Sequence, residues 1–172
     1  MKEESNGLIQ ASMRYGTLLG ALWIIAFAVY IAALTTPSLS PLFLILLVAS
    51  PIVAGCMGIN YRKQERDNRL GFLEAWSFMT ISYLCASVLS AIACYIYFRF
   101  IDNGALLTSF KEQIDIFTAA AIDEELKKAF TSTYDLLTKM NASDYCMQYF
   151  TTNIFITTFL APITSIFVYK NR

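Results

Sequence analysis

The sequence predicts an all-α integral membrane protein: four transmembrane helices, with a two-helix extracytoplasmic segment between the third and the fourth. Three observations carry this. Of 172 residues, 56% are hydrophobic and only 15% charged, where a soluble domain carries about 25% charge. The charges are clustered, leaving positions 15–61, 75–98 and 145–169 with none, and uncharged apolar runs of about 18 residues or more read as membrane spans. Between the last two runs lies a charged stretch, 99–144, with apolar residues at helical spacing. A soluble globular protein is thereby excluded. A formal net charge of zero also removes the basic footprint of nucleic-acid binding.

The first run is too long for one helix, since about 20 residues cross a bilayer. It divides at Thr35-Thr36-Pro37-Ser38-Leu39-Ser40-Pro41, where two prolines flank a hydroxyl-rich turn. Span one is then about 15–34 and span two about 42–59. Ala26-Phe27-Ala28 has the small-x-small pattern of a cleavage site but lies inside the apolar run, so the span reads as uncleaved. Span three covers about 75–98. Span four, about 145–169, is the weakest, with Thr151, Thr152, Asn153, Thr157, Thr158, Thr164 and Ser165 along it and Pro162 inside it. It needs the other helices to insert.

Basic residues set the orientation. With both termini inside, the inner segments hold Lys2, Arg14, Arg62, Lys63, Arg66, Arg69, Lys170 and Arg172, and the first outer loop holds no base. The long outer segment has five bases (Arg99, Lys111, Lys127, Lys128 and Lys139) against eight acids. Both termini are therefore expected in the cytoplasm. Tyrosines 15, 30, 61, 95, 97, 145, 149 and 169 fall near span ends, as an aromatic belt requires.

The outer segment, 99–144, reads as two amphipathic helices, about 105–120 and 123–140. Leu107, Phe110, Ile114, Phe117 and Ala121 recur at spacings of three and four, and Ile122, Leu126, Phe130, Leu137 and Met140 continue the pattern. Asp123, Glu124 and Glu125 place acids where the second helix starts, and Lys127, Lys128 and Lys139 follow toward its end. Such a pair is too small to bury a core alone and must pack on itself, the membrane or a partner. Asn141-Ala142-Ser143 matches a glycosylation sequon, which carries no meaning in a bacterial protein.

Small residues at spacing four let helices approach closely in lipid. Ser12, Gly16 and Gly20 form one such row, and Ser50, Ala54 and Gly58 another. Both lie in the inner halves of their spans, so spans one and two are expected to pack as an antiparallel pair; homodimerisation through the glycine row is the alternative. On span three, Ser77, Thr80, Leu84, Ser87, Ala91 and Cys94 make one stripe, which reads as a packing seam ahead of a polar-lined pathway.

Catalysis finds no footing. Histidine is absent, which removes the commonest general base and metal ligand. Cys56, Cys85, Cys94 and Cys146 are scattered, without the spacing of a zinc site, and read as small buried hydrophobes. No ionisable group lies in a span core, against proton relays, ion-coupled transport and a small multidrug-type exporter. The outer segment also lacks the Cys-Cys-Gly of tetraspanins, which share the loop layout. No catalytic residue, metal or cofactor is expected.

The most structured polar region is the inner loop, 60–76. Tyr61, Arg62, Arg66, Arg69 and Glu74 are its candidate contacts, either to anionic lipid headgroups at about 1 kcal/mol per base or simply as topology-setting charge. Glu74 is expected to pair with Arg62, Arg66 or Arg69. Phe110, Ile114 and Phe117 are the candidate contacts of the outer segment.

Gly58 followed by Tyr61-Arg62, then Gly71-Phe72-x-Glu74-Ala75-Trp76, then a span ending Tyr95-x-Tyr97-x-x-Phe100-Ile101-Asp102, resembles the Bacteroidetes membrane family catalogued as domain of unknown function 4199. The resemblance covers about residues 10–170, without the proline that often follows Asp102 or the glycine common in the last span. It implies a four-helix protein of a bacterial inner membrane and supplies no activity. The expected role is a non-enzymatic scaffold or accessory subunit of an envelope complex, contacting the bilayer and a membrane-protein partner or a second copy. A small oligomeric carrier or lipid-handling protein is the alternative.

Overall fold

The structure, a computed structural model, describes residues 2–119 and 124–170, and the side-chain surroundings of 6–116 and 124–170. Ala121, Ile122, Asp123 and Arg172, and the side chains of Lys2 and Phe117, lie outside the described residues. The helices are α1 (Lys2–Thr35), α2 (Ser40–Glu65), α3 (Phe72–Ile96), α4 (Ala105–Ala119), α5 (Glu124–Lys139) and α6 (Ala142–Val168). A 3₁₀ turn, Pro37–Leu39, joins α1 to α2, and a π-helical turn, Tyr97–Ile101, extends α3. Four of these helices are long and apolar enough to cross a membrane, and α6 is the least apolar of them.

The helices outrun the expected spans at their polar ends. In α1 the extension buries Leu8, Ala11 and Ser12, and in α2 it buries Tyr61, so packing carries the helix past the apolar run. The break between them falls where the prolines put it. Pro41 opens α2, where a missing N–H costs nothing. At the start of α6, Asn141 Oδ1 accepts from the backbone N–H groups of Ser143 (2.9 Å) and Asp144 (3.0 Å), while the Asp144 carboxylate accepts from Asn141 N. This capping box occupies the asparagine of the sequon. Pro162 lies inside α6 without ending it, as apolar spans tolerate when neighbouring helices hold them.

α3 is the centre of the bundle, with α1 on one side and α6 on the other, and α2 lies against α1 and α6. Tyr61, Phe78, Tyr83, Leu19, Leu70, Met79 and Val168 are the largest fully buried side chains. The two small-residue rows therefore do not face each other as expected. A Cβ on Gly16 would lie 2.7 Å from the Ser82 carbonyl oxygen and 2.8 Å from Cys85 Cβ, and one on Gly20 would lie 3.3 Å from Ala86 Cα. The first row receives α3, because α3 offers small residues of its own at the contact. A Cβ on Gly58 would lie 2.6 Å from Val168 Cγ2 of α6 and 3.2 Å from Met79 Sδ of α3, and Ala54 is buried in the same row. Since α3 fills the glycine row of α1, that row is closed to a second copy. α1 and α2 meet through larger groups: Trp23 Nε1 donates to Ser50 Oγ at 2.5 Å, and the Tyr30 and Phe43 rings lie 5.3 Å apart.

The expected stripe on α3 is likewise rotated. Ser77 and Leu84 are exposed and Thr80 half-buried, whereas Ser87, Ala91 and Cys94 are buried along with Ala75, Met79, Ser82, Ala86 and Ser90. Two neighbours straddle α3, so its buried arc is wider than one stripe. Ser87 donates to the Tyr83 carbonyl (2.9 Å), Ser90 to that of Ser87 (3.1 Å) and Thr164 to that of Leu160 (2.8 Å). These three hydroxyls bond on their own helices and Ser82 donates across to the Ser12 carbonyl of α1 (3.1 Å), and both are the behaviour of a packing seam.

Candidate functional site

The Arg- and Lys-bearing ends of α1, α2, α3 and α6 meet at one end of the bundle. Tyr61, 1% exposed, stacks on Phe78 with ring centroids 4.4 Å apart, and Tyr15 meets both rings edge-on. Arg66 Nε donates to the Tyr61 hydroxyl at 2.9 Å, and its guanidinium lies 6.0 Å from that ring. Arg62 reaches across to α6: Nη1 donates to the carbonyls of Val168 (2.6 Å) and Tyr169 (3.3 Å), and Nε to Asn68 Oδ1 (3.2 Å). A cation at a helix C-terminus meets the negative end of the dipole and the orphan carbonyls together. Beside it, Leu70 and Lys170 exchange two backbone bonds, 3.3 and 3.0 Å long, which tie the α2–α3 loop to the tail.

Of the loop candidates, Tyr61, Arg62 and Arg66 are thus engaged within the bundle, and Arg69 is exposed. Glu74 does not form the expected ion pair. Its carboxylate accepts from Gly71 N at 3.4 Å and caps α3. Glu65 instead pairs with Arg14, a contact that span-by-span reading missed because the partners belong to different helices. The tail contact of Lys170 was missed for the same reason. Asp67 and Asn68 have positive φ, 46° and 60°, the left-handed conformation that Asx residues tolerate in turns, and this pair was the available signal for the tight return.

At the far end, Asp102 organises the entry to α4. Its carboxylate accepts from Gly104 N (3.3 Å), Ala105 N (3.2 Å) and the Tyr97 hydroxyl (3.3 Å). The pieces that carry the resemblance are thereby explained locally: Gly71 and Glu74 cap α3, and Tyr97 and Asp102 close its other end.

α4 lies over the α1–α2 turn, where Ser109 Oγ donates to the Leu34 carbonyl at 3.3 Å. Phe110 and Ile114 are half-buried, while Ile116, Leu126 and Leu136 are exposed. Beneath α4 lies a cavity of about 460 Å³ reached by Tyr30, Ser40, Phe43, Ser109, Glu112 and Gln113. Sequence reading named none of these six as a site, because they come together only once α4 folds back over the turn. No group of three or more His, Cys, Asp or Glu placed to hold a metal occurs among the described residues.

No curated protein and no solved structure matches this chain. The sequence profile of the family described as Protein of unknown function (DUF4199) matches residues 14–170, which include both capped ends of α3, the Arg62 clasp and the α4–α5 segment, and the chain belongs to that family.

Proposed function

We propose that this chain is a non-enzymatic scaffold or accessory subunit of an envelope complex in a bacterial inner membrane, with both termini cytoplasmic and α4–α5 on the opposite side. The observation that carries this reading is the contrast between a filled bundle and an unfinished outer pair. α5 turns Phe130, Tyr134 and Leu137 inward and leaves Leu126 and Leu136 exposed, with Ile116 of α4 at 69% exposure. Apolar side chains exposed on a polar element mark a protein or a membrane contact. The segment carries more acid than base, so anionic lipid offers it no electrostatic attraction.

The test is cross-linking and pull-down from native membranes with the full chain, with Leu126→Ser/Leu136→Ser, and with residues 105–140 replaced by a flexible linker. Insertion of all four spans is expected to persist in both variants, and partner recovery to fall at least tenfold. Recovery of every partner at the level of the unaltered chain would remove this role from α4–α5. A small carrier or lipid-handling protein is the second reading, and the cavity beneath α4 is what favours it.

A further inference from the structure

We infer that the cavity beneath α4 is a binding site for an organic cation, an alkylammonium group with a short apolar tail. Its volume, about 460 Å³, lies in the range of small-ligand sites. Two features point to positive charge. The exposed Glu112 brings a carboxylate to the cavity, without an ion-pair partner among the described residues. The second is aromatic: Tyr30 and Phe43 line the cavity with two rings, 5.3 Å apart and inclined at 50°, and a cation is drawn to such ring faces within about 6 Å. The end of α1 and the start of α2 both border the cavity, so their dipoles offset each other. No Lys or Arg is among the residues that line the cavity.

The polar and apolar linings divide the ligand in the same way. Ser40, Ser109 and Gln113 supply hydroxyl and amide groups beside Glu112, and Ser109 is held in place by its bond to the Leu34 carbonyl. The remaining wall is built from Ala33, Leu34, Pro37 and Ile116, which suits a hydrocarbon tail. An ammonium paired with Glu112 accounts for one end of such a ligand and this wall for the other. A carboxylate or phosphate ligand would meet Glu112 as a like charge and finds no base to offset it. The alkylammonium could arrive as a free amine or as the headgroup of an amine-bearing lipid, and the recognition chemistry is shared.

The experiment is equilibrium dialysis of radiolabelled hexylamine, 1-hexanol and hexanoate against the purified full chain in maltoside micelles, with empty micelles as the blank. Hexylamine is expected to bind about tenfold more tightly than hexanol, with hexanoate weakest. Glu112→Gln should bring hexylamine down to the hexanol level. Phe43→Leu should weaken it about threefold, and Asp135→Asn on α5 should leave it unchanged. A competition arm separates the sources. Displacement of hexylamine by phosphatidylethanolamine but not by phosphatidylglycerol assigns the site to a lipid headgroup, and displacement by neither assigns it to a free amine. Equal binding of hexylamine and hexanol by the unaltered chain overturns the inference without reference to any variant. So does a hexylamine preference that survives Glu112→Gln in a protein of unchanged Tm. The readout requires no partner protein, so it stands or falls separately from the scaffold role.

Discussion

The two ends of the bundle are built on opposite principles. At the basic end, bonds between distant parts of the chain close the structure: Arg62 to the α6 carbonyls, Leu70 to Lys170, and Arg14 to Glu65. At the far end α6 is tied to α3 by Cys146 Sγ donating to the Ala91 carbonyl (3.3 Å), but the bonds that form α4 and start α6 are local, as Asp102 caps the helix that follows it and Asn141 caps α6. Only Ser109 to Leu34, among the side-chain bonds described there, ties α4 back to the spans. Long-range bonds make one end cooperative with the core. Local caps let a segment be well formed yet weakly attached, and segments of that kind open first.

The largest effect should come from the core that both ends share. Gly16→Leu drives a side chain into the Ser82 backbone, 2.7 Å from where its Cβ would start. Overpacking of this kind costs about 1–3 kcal/mol, and more where backbone must move. The loss of Tm in detergent should exceed that of Gly58→Leu, where the first obstacle is the Val168 side chain. Gly7→Ala, which meets open space inside α1, should cost nothing and raise Tm slightly, since alanine is the better helix former.

Next comes the basic end. Arg62→Ala removes charge-assisted bonds to two carbonyls and should lower global stability by about 2 kcal/mol. Arg62→Lys should recover part of this, since an ammonium lacks the planar fork. Denaturation followed by far-UV circular dichroism separates the two.

The smallest effect belongs to the far end. Asp102→Ala removes the cap of α4 and should cost about 1 kcal/mol locally. Amide hydrogen exchange should accelerate in 103–119 while Tm stays within about 1 °C, since the opening is sub-global. A Tm loss matching that of Arg62→Ala would erase the distinction between the ends.

What was legible in the sequence follows from this division. Charge-free runs gave the four long helices, and proline placed the α1–α2 break, because both signals are local. The α4–α5 helices were legible to within a few residues, as Phe110 and Ile114 at helical spacing and the acids at 124–125 are also local signals. Which faces meet was not legible. Gly16 is equally suited to α2, to α3 or to a second copy, and only the placement of α3 at the centre decides. Glu74 looked like a partner for three nearby arginines, yet the free N–H of Gly71, three residues back, was closer. The cavity beneath α4 was the least legible feature, since Tyr30, Phe43 and Glu112 are linked by no sequence period.

The proposed topology puts these two ends on opposite sides of a membrane. In a variant with Cys56, Cys85, Cys94 and Cys146 replaced by Ala, single cysteines at Asn103 and at the exposed Lys63 can be probed with a membrane-impermeant maleimide in intact bacterial cells. Labelling of Asn103→Cys before permeabilisation, with Lys63→Cys labelled only after it, is the predicted result. Labelling of Lys63→Cys in intact cells, with Asn103→Cys protected, would contradict it.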